Sequence, residues 1–467
     1  MKEKNYKLTW DEALKIEEEF NAICFMDIPL GKVLCYSIYD YCWNGFEKTT
    51  VKNRLKKEIN ILKYKNTFEF EGISGLINHK GKYIFNITKN TDRLVSFFAP
   101  LKEYIDNKKC IFISQDSLPD QINNIPAFRF TNRLNRSQLK NWKKEYGQLF
   151  RNVKQIIKGI TNKFQLPIQF EREILLEVIM QTQNVLKCCQ ILQSLSPKAV
   201  ITDHDRQALN SCLILSASKL NIPNYTFIHG NTFPNAEAFY PVLADKIFCW
   251  GENHMKQFTR LKVEPNRLLV VGNTKISRDT KGNNIEIRKK LGIGQEKTVL
   301  ILATNNIELH KRHELVKGFI DFLDEIPNVH GIIRLHPVEN KTEYQDVILK
   351  SNSSIFDSTE LGFEESFTIA NIVITHSSGY ALEALFKKIP VLILNIIDEP
   401  LFLGDELIQV GGCPNIRSKA DMVAAICNII NDTPENKEIR IKNEILVNRY
   451  CKDFGDNAAS NIYQIIK

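Results

Sequence analysis

From Pro197 onward, apolar runs of strand length alternate with segments of helical period, and this rhythm constrains the chain more than any other feature. Ala199–Thr202 reads as a strand, Ala208–Leu220 as a helix, and Asn224–Ile228, Asp245–Trp250 and Leu268–Val271 as further strands. A polar, charged stretch over Ser277–Glu286 reads as a linker. A second set follows, with strands at Val299–Ala303, His330–Leu335, Ala370–Thr375 and Val391–Leu394 and a helix over Glu314–Leu323. Such alternation is the pattern of a parallel sheet wrapped by helices. The expected fold class is therefore α/β, with two Rossmann-like domains facing one another across a cleft and ligands at the carboxyl ends of the strands.

Size supports more than one core, because 467 residues exceed what a single domain usually holds. We expect an N-terminal Rossmann-like domain with extra N-terminal elements over 1–275, a second over 276–440, and a C-terminal helix, 441–467, crossing back to the first. Apolar content of 43% with 25% charged residues is that of an ordinary soluble globular protein. The net charge of +8 is thin, with Lys-rich stretches at Lys52–Lys65 and Lys140–Lys163. These suit an anionic substrate, an anionic membrane surface or simply a solvated face, and they lack the density of a nucleic-acid binder. The 11 cysteines are scattered, which argues against a disulfide framework or a zinc site and fits a reducing cytoplasm. The charged N-terminus has no signal-peptide core, and no apolar run reaches the roughly 18 residues of a spanning helix. Membrane contact, if made, is expected to be peripheral, at the inner face of the cytoplasmic membrane.

Residues 1 to about 135 carry weaker patterns. Ile23–Ile28, Val33–Ile38 and Cys110–Ser114 read as strands, and Thr67–Ile87 has hairpin character with a turn at His79–Lys82. Tyr39–Phe46 is both aromatic and polar, compatible with a substrate-facing loop or with core plus turn. Residues 135–196 are strongly helical, and Glu171–Ser194 carries apolar residues at helical spacing.

Nearly every strand between 199 and 395 ends in unusual polar residues. Asp203-His-Asp205 and His229-Gly230 follow strands of the first set; Thr304-Asn305-Asn306, Arg334-Leu-His336-Pro337 and His376-Ser377-Ser378-Gly379 follow strands of the second. The last of these sits between the strand ending at Thr375 and a short helix. Its backbone N–H groups there suit a phosphate, and Glu383 one turn on suits a ribose. An ordinary Ser/Gly-capped crossover accounts for the same residues. Arg334 offers a fork for phosphate oxygens, and His336 a donor to a leaving pyrophosphate. His229 suits removal of a proton from an acceptor hydroxyl, with Asp203 or Asp205 orienting it or acting as the base. His330 and His254 read as core histidines. No metal-ligand spacing is present, and no cofactor is expected.

These residues resemble the two-Rossmann-domain (GT-B) glycosyltransferases of bacterial surface carbohydrate synthesis. That group includes capsule synthesis proteins, sialic acid and Kdo transferases, and the CDP-glycerol glycerophosphotransferases of teichoic acid assembly. The likeness covers roughly residues 197–400. In that group an Arg-x-His-Pro element and a Ser-Ser turn followed by a helical Glu bind the donor nucleotide, which implies that role for Arg334, His336, Pro337, Ser377, Ser378 and Glu383. A His-Gly-x-Pro loop supplies a base there; here it reads His229-Gly-Asn-Thr-Phe-Pro234, with two extra residues before the proline. Gly272-Asn273-Thr-Lys275 looks like a variant of the Gly-Asn-Pro-Arg element of the group, lacking its proline.

The function expected is an inverting, metal-independent glycosyltransferase that moves a sugar from a CMP- or UDP-linked donor to a bacterial surface glycan. Its acceptor would be lipid-linked or an oligosaccharide of capsule or lipopolysaccharide, with no nucleic-acid partner. Donor contacts are assigned to Arg334, His336, Pro337, Thr304, Asn305, His376, Ser377, Ser378, Gly379, Glu383, Gly272 and Asn273, and catalysis to His229, Asp203 and Asp205. A glycerophosphate or polyol-phosphate transferase, a UDP-sugar 2-epimerase and a non-catalytic nucleotide-sugar binding subunit are the alternatives.

Overall fold

The structure, a computed structural model, describes residues 7–43, 77–87, 97–98, 100–114, 121–122, 124–129, 136–205, 208–228, 230, 239–278, 282–305, 307–347 and 349–467. A short antiparallel hairpin, β1 (Cys24–Phe25) with β2 (Ile28–Pro29), lies near the N-terminus. The first large sheet contains β3 (Tyr83–Ile87), β4 (Cys110–Ser114), β5 (Gln121–Ile122), β6 (Ile125–Arg129), β7 (Ala199–Thr202), β8 (Asn224–Phe227), β9 (Lys246–Cys249) and β10 (Leu268–Val270). Its order is β10-β9-β8-β7-β3-β4-β6-β5, parallel except for the β5–β6 pair. The second contains β11 (Thr298–Ala303), β12 (Val329–Arg334), β13 (Ser353–Phe356), β14 (Ile372–Thr375), β15 (Val391–Leu394) and β16 (Asn415–Ile416), in the order β13-β12-β11-β14-β15-β16, all parallel. Strands buried on both faces, such as Val299–Ala303, Ile372–Thr375 and Val391–Leu394, carry apolar runs rather than alternation, as parallel sheets require.

Strand order reverses between β11 and β14 in the second sheet and between β7 and β3 in the first. The chain leaves the two flanking strands in opposite directions at such a point. That opens a crevice at their carboxyl ends, where ligands of doubly wound sheets bind. Thr304 and Asn305 follow β11, His376–Gly379 follow β14, and Asp203 and Asp205 follow β7.

Three expectations for the first 135 residues are corrected. Val33–Ile38 lies within the helix Leu30–Trp43, where Leu30, Val33, Leu34, Ile38 and Tyr41 are buried at helical spacing. A short apolar run fits either period, and here the length of the element favours the helix. Ile23–Ile28 is broken by Met26 and Asp27, both at positive φ (51° and 59°), into the two arms of the hairpin. Tyr83–Ile87 is an inner strand between β4 and β7, parallel to both, rather than a hairpin arm; the earlier part of Thr67–Ile87, through residue 76, lies outside the described residues. Of Tyr39–Phe46, Tyr39–Trp43 close the helix, and Tyr39 is buried with its hydroxyl donating to Glu17 Oε2 at 2.8 Å, so this part is core.

The last residues form two helices, Pro434–Tyr450 and Gly455–Ile466, rather than the single helix expected over 441–467. The break at Cys451–Phe454 docks on the first domain. Asn273 N–H donates to Asp453 O at 2.8 Å, Gly455 N–H to Asn273 O at 3.0 Å, and Asn461 Nδ2 to Val271 O at 3.2 Å. Tyr83 donates from its hydroxyl to Ile466 O at 3.2 Å. One apolar cluster runs through both sheets and these helices, joining Phe227 and Val271 to Val373, Ala384, Val447 and Ile462. Gly272 makes the docking sterically feasible: it sits at φ +96°, and a Cβ there would lie 2.2 Å from Asp453 O. We predict that Gly272→Ala lowers stability by roughly 2 kcal/mol or more, read as a lower midpoint in thermal or urea unfolding.

Candidate active site

At the reversal in the second sheet, loop side chains first brace one another. Thr304 accepts the His336 N–H on Oγ1 at 2.9 Å and donates from Oγ1 to Glu339 Oε2 at 2.8 Å. Tyr344 donates its hydroxyl to the same carboxylate oxygen at 2.7 Å, so the loop after β12 is fixed from below. Asn305 turns its amide oxygen to the loop after β14, where it accepts from Ser377 Oγ at 2.6 Å, Ser378 N at 3.1 Å and Ser377 N at 3.3 Å. Its nitrogen donates to Thr375 Oγ1 at 3.3 Å.

The Ser-Ser turn is therefore self-supporting. Ser377 and Ser378 direct their N–H groups to Asn305, and Tyr380 N–H donates to Ser378 Oγ at 3.3 Å. Of the three backbone donors expected to face an anion, those of Ser378 and Tyr380 are thus engaged within the protein, and that of Gly379 is not among them. Gly379 still faces open space, since a Cβ there would meet no atom within 4 Å. His376 is wholly buried and donates from Nδ1 to Leu394 O at 3.0 Å, tying the end of β14 to β15 as a strut. Thr304 and Asn305 are likewise buried supports.

Arg334, at the end of β12, differs from all of these. It is 6% exposed, its Nε has no hydrogen-bond partner, and no side-chain acceptor meets it among the described residues. The guanidinium is held by rings instead, 5.3 Å from the centre of Tyr380 and 5.7 Å from that of Phe363. Tyr380 stacks on Phe367 at 4.3 Å, and its hydroxyl pairs with Ser366 Oγ at 2.6 Å, so this wall is rigid. Burial pulls the arginine pKa down from its ordinary value, opposed by Tyr380 and Glu383. Glu383 has an Oε2 sealed from solvent without a partner, and burial pushes its carboxyl up to about 6 against the pull of Lys275, Lys387 and Arg334. Lys275, from the first domain's last loop, lies 5.2 Å from the centre of the Phe363 ring.

His336 is half-buried beside this group, and Pro337 is exposed. Burial lowers the His336 pKa further from neutrality, with Arg334 and Arg312 adding to the effect and Glu339 opposing it, so the ring is neutral at pH 7. Nδ1 accepts the Val338 N–H at 3.4 Å, which leaves the proton on Nε2.

In the first domain, Asp203 is buried at the end of β7, with Oδ1 accepting from His204 N at 3.0 Å. Asp205 is buried too, and its Oδ2 accepts from the N–H groups of Leu243 at 2.5 Å and Ala244 at 2.7 Å. Its carboxylate thus anchors the approach to β9, an arrangement suited to a fixed structural role. His229 lies outside the described residues. The Gly272 backbone packs against Asp453, and the Asn273 backbone is bonded to Asp453 and Gly455, while Asn273 Nδ2 is buried without a partner.

Sequence reasoning did not single out Phe363, Lys275 or Lys387. Lys387 is buried and donates to Ser277 O at 3.0 Å and Glu364 Oε2 at 2.9 Å, clamping the interdomain linker to the second domain. A basic residue within the Gly272–Lys275 element was the available signal for Lys275; nothing local marks Phe363. A cavity of about 550 Å³ lies at the other end of the second sheet, among Leu385, Val391, Ile416, Ile429 and Val447, and none of the residues above line it.

No model of a protein family matches this chain, and no curated protein sequence does. Solved structures do match it in fold. A structure from Listeria monocytogenes described as a UDP-N-acetylglucosamine 2-epimerase aligns at a TM-score of 0.53 and 13% identity, covering 83% of this chain and 96% of that one. A glycosyltransferase from Rickettsia africae aligns at 0.51 and 12% identity, covering 83% and 98%. A single-residue variant of the wall teichoic acid polymerase TagF aligns at 0.51 and 11%, covering 90% and 98%. The chain has the GT-B fold, two Rossmann-like domains facing across a cleft, shared by nucleotide-sugar epimerases and glycosyltransferases.

The two aspartates give a discriminating test. Asp205→Ala leaves two buried N–H groups without an acceptor and should lower stability by about 2 kcal/mol or more. An unchanged unfolding midpoint combined with lost turnover would instead make Asp205 a catalytic residue.

Proposed function

We propose that this protein is a glycosyltransferase that moves a sugar from a nucleotide-activated donor to a bacterial surface-glycan acceptor, by inverting attack without a metal. The observation that carries this reading is the proximity of two buried, unsatisfied groups that act on one another electrostatically: Arg334, whose guanidinium has no acceptor, and Glu383, whose Oε2 has no donor. A nucleotide diphosphate complements both, with phosphate oxygens accepting from Arg334 and ribose hydroxyls donating to Glu383. Phosphate charge also compensates the desolvated guanidinium, which no protein group does fully. Gly379 leaves room for the ligand, and Lys275 brings a further cation from the first domain.

His336 then donates from Nε2 to the phosphate that gains charge as the donor's C1–O bond breaks. The acceptor oxygen forms the new bond to C1 from the opposite face while its proton passes to a base. His229, supported by Asp203, is the base in this scheme; both follow strands beside or next to the reversal in the first sheet. Asp205 is left out of the base set because its carboxylate already serves Leu243 and Ala244. The same commitment weakens the UDP-sugar 2-epimerase reading, which needs cleft carboxylates placed for proton abstraction. A glycerophosphate or polyol-phosphate transferase uses the same donor contacts, and only the choice of donor separates it.

The test is a panel of CMP-, UDP-, GDP- and CDP-activated donors, assayed for binding and for released nucleotide with and without acceptor. Arg334→Ala should weaken donor binding by roughly 10- to 100-fold, and His336→Ala should weaken binding or transfer. His229→Ala and Asp203→Ala should keep donor affinity and lose turnover; full transfer by all four variants would refute the assignment. Interconversion of a UDP-sugar without nucleotide release would establish the epimerase instead, and binding without either would establish a non-catalytic subunit.

Donor binding should also depend on pH through Glu383. Its carboxyl is raised to about 6, so it is ionised above that value and protonated below it. Ribose hydroxyls donate best to the ionised form, so affinity should fall by about fivefold as pH drops from about 7.5 to about 5. Glu383→Gln should flatten that dependence in calorimetric titrations.

A further inference from the structure

The helix Arg136–Phe164, 29 residues long, buries Leu139, Trp142, Tyr146, Leu149, Val153 and Ile157 on one side. Lys140, Lys143, Lys144, Arg151, Lys154 and Lys158 are all exposed on it. At 3.6 residues per turn these six fall within an arc of about 100° and extend for about 27 Å along the axis. The helix holds eight basic residues against the single Glu145, so it carries a net charge of seven out of the chain's total of +8. What reads in the sequence as a thin, spread charge is concentrated on one row.

Among the described residues nothing neutralises that row. None of the six exposed cations is in an ion pair there, and Lys163, which is paired to Glu19 at 2.6 Å, lies off the arc. The only uncharged positions of the helix within the arc are Gly147, Thr161 and Asn162. Phe150 stands at its edge, half-buried beneath Lys154 at 4.6 Å.

We propose that this row is a docking surface for an anionic lipid bilayer. The narrow arc allows the cationic tips to reach one surface together, and long flexible side chains tolerate the irregular spacing of lipid headgroups. The buried face is committed to the domain core, so contact is electrostatic, without insertion of the helix. A single-stranded nucleic acid is a poorer fit, because the row has no groove and no exposed rings for stacking. This inference does not rest on the proposed transferase activity, since lipid binding is read without donor or acceptor.

The experiment is co-sedimentation of the full chain with vesicles of phosphatidylcholine alone or containing about one third phosphatidylglycerol. Binding should require the anionic lipid and be lost on raising salt from about 0.05 M to about 0.5 M. The variant K140Q/K144Q/R151Q/K154Q/K158Q should lose binding by more than about a hundredfold, while K256Q/K289Q/K317Q/K437Q/K442Q, with the same change in net charge, should keep most of it. Equal unfolding midpoints for both variants would confirm that folding is not the cause. Binding to phosphatidylcholine alone, equal losses in the two variants, or retention by the first would overturn the proposal. Capture by a soluble polyphosphate but not by anionic vesicles would overturn it in favour of a polymer ligand.

Discussion

A buried guanidinium with no hydrogen-bond acceptor is costly to maintain, and the wall beside the end of β12 is built around one. Arg334 stays in place because Phe363 and Tyr380 offer ring faces, and those rings stay in place because Phe367 and Ser366 fix Tyr380. Glu383 lies close enough to oppose the effect of burial on Arg334 without a hydrogen bond to it. A direct ion pair would be the cheaper solution for stability alone. Under the proposed function, the two unpaired groups are the complement of a ligand that carries an anion and hydroxyls on one frame.

The surrounding loops explain how the unpaired state persists. Asn305, Thr304 and His376 bond the backbone of neighbouring loops and strand ends with their side chains, and Glu339 holds Thr304 and Tyr344, so the turns are braced from within. Polar residues at strand ends thus divide into two kinds. Some brace their neighbours through hydrogen bonds, though His376 Nε2 and Glu339 Oε1 are buried without a partner, and a few, such as Arg334, have no hydrogen-bonded side-chain partner. The linker belongs to the same arrangement: Lys387 grips Ser277 O at its start, and Lys275, two residues before it in the first domain's last loop, reaches Phe363, so one short segment joins the domain connection to the wall around Arg334.

The sheets were largely legible in the sequence because parallel strands covered on both faces must be continuous apolar runs. Val299–Ala303, Ile372–Thr375 and Val391–Leu394 show this plainly. Arg334, His336 and Glu383 were legible as well, because their spacing from strand ends sets where they lie. The division between braces and open groups was not. It depends on which side chain of β11 meets which N–H after β14, a long-range contact that no local pattern encodes. Asp203 and Asp205 are identical in type and two positions apart, yet only the second reaches Leu243 and Ala244. The helix Leu30–Trp43 was misread for a related reason: a six-residue apolar run satisfies strand and helix periods alike until its neighbours are known.

The C-terminal return sets a limit on how the two domains move. Helix Pro434–Tyr450 belongs to the apolar cluster shared by both domains, and the segment after it is fixed to Asn273 by two backbone hydrogen bonds. The connection at 272–278 is held from both sides, by Asp453 against Gly272 and by Lys387 against Ser277. Two attachments a few residues apart permit rotation about the short segment between them far more readily than translation. Lys275 lies within that segment. Rotation about that segment would therefore displace Lys275 little and keep its charge near Phe363 and Glu383.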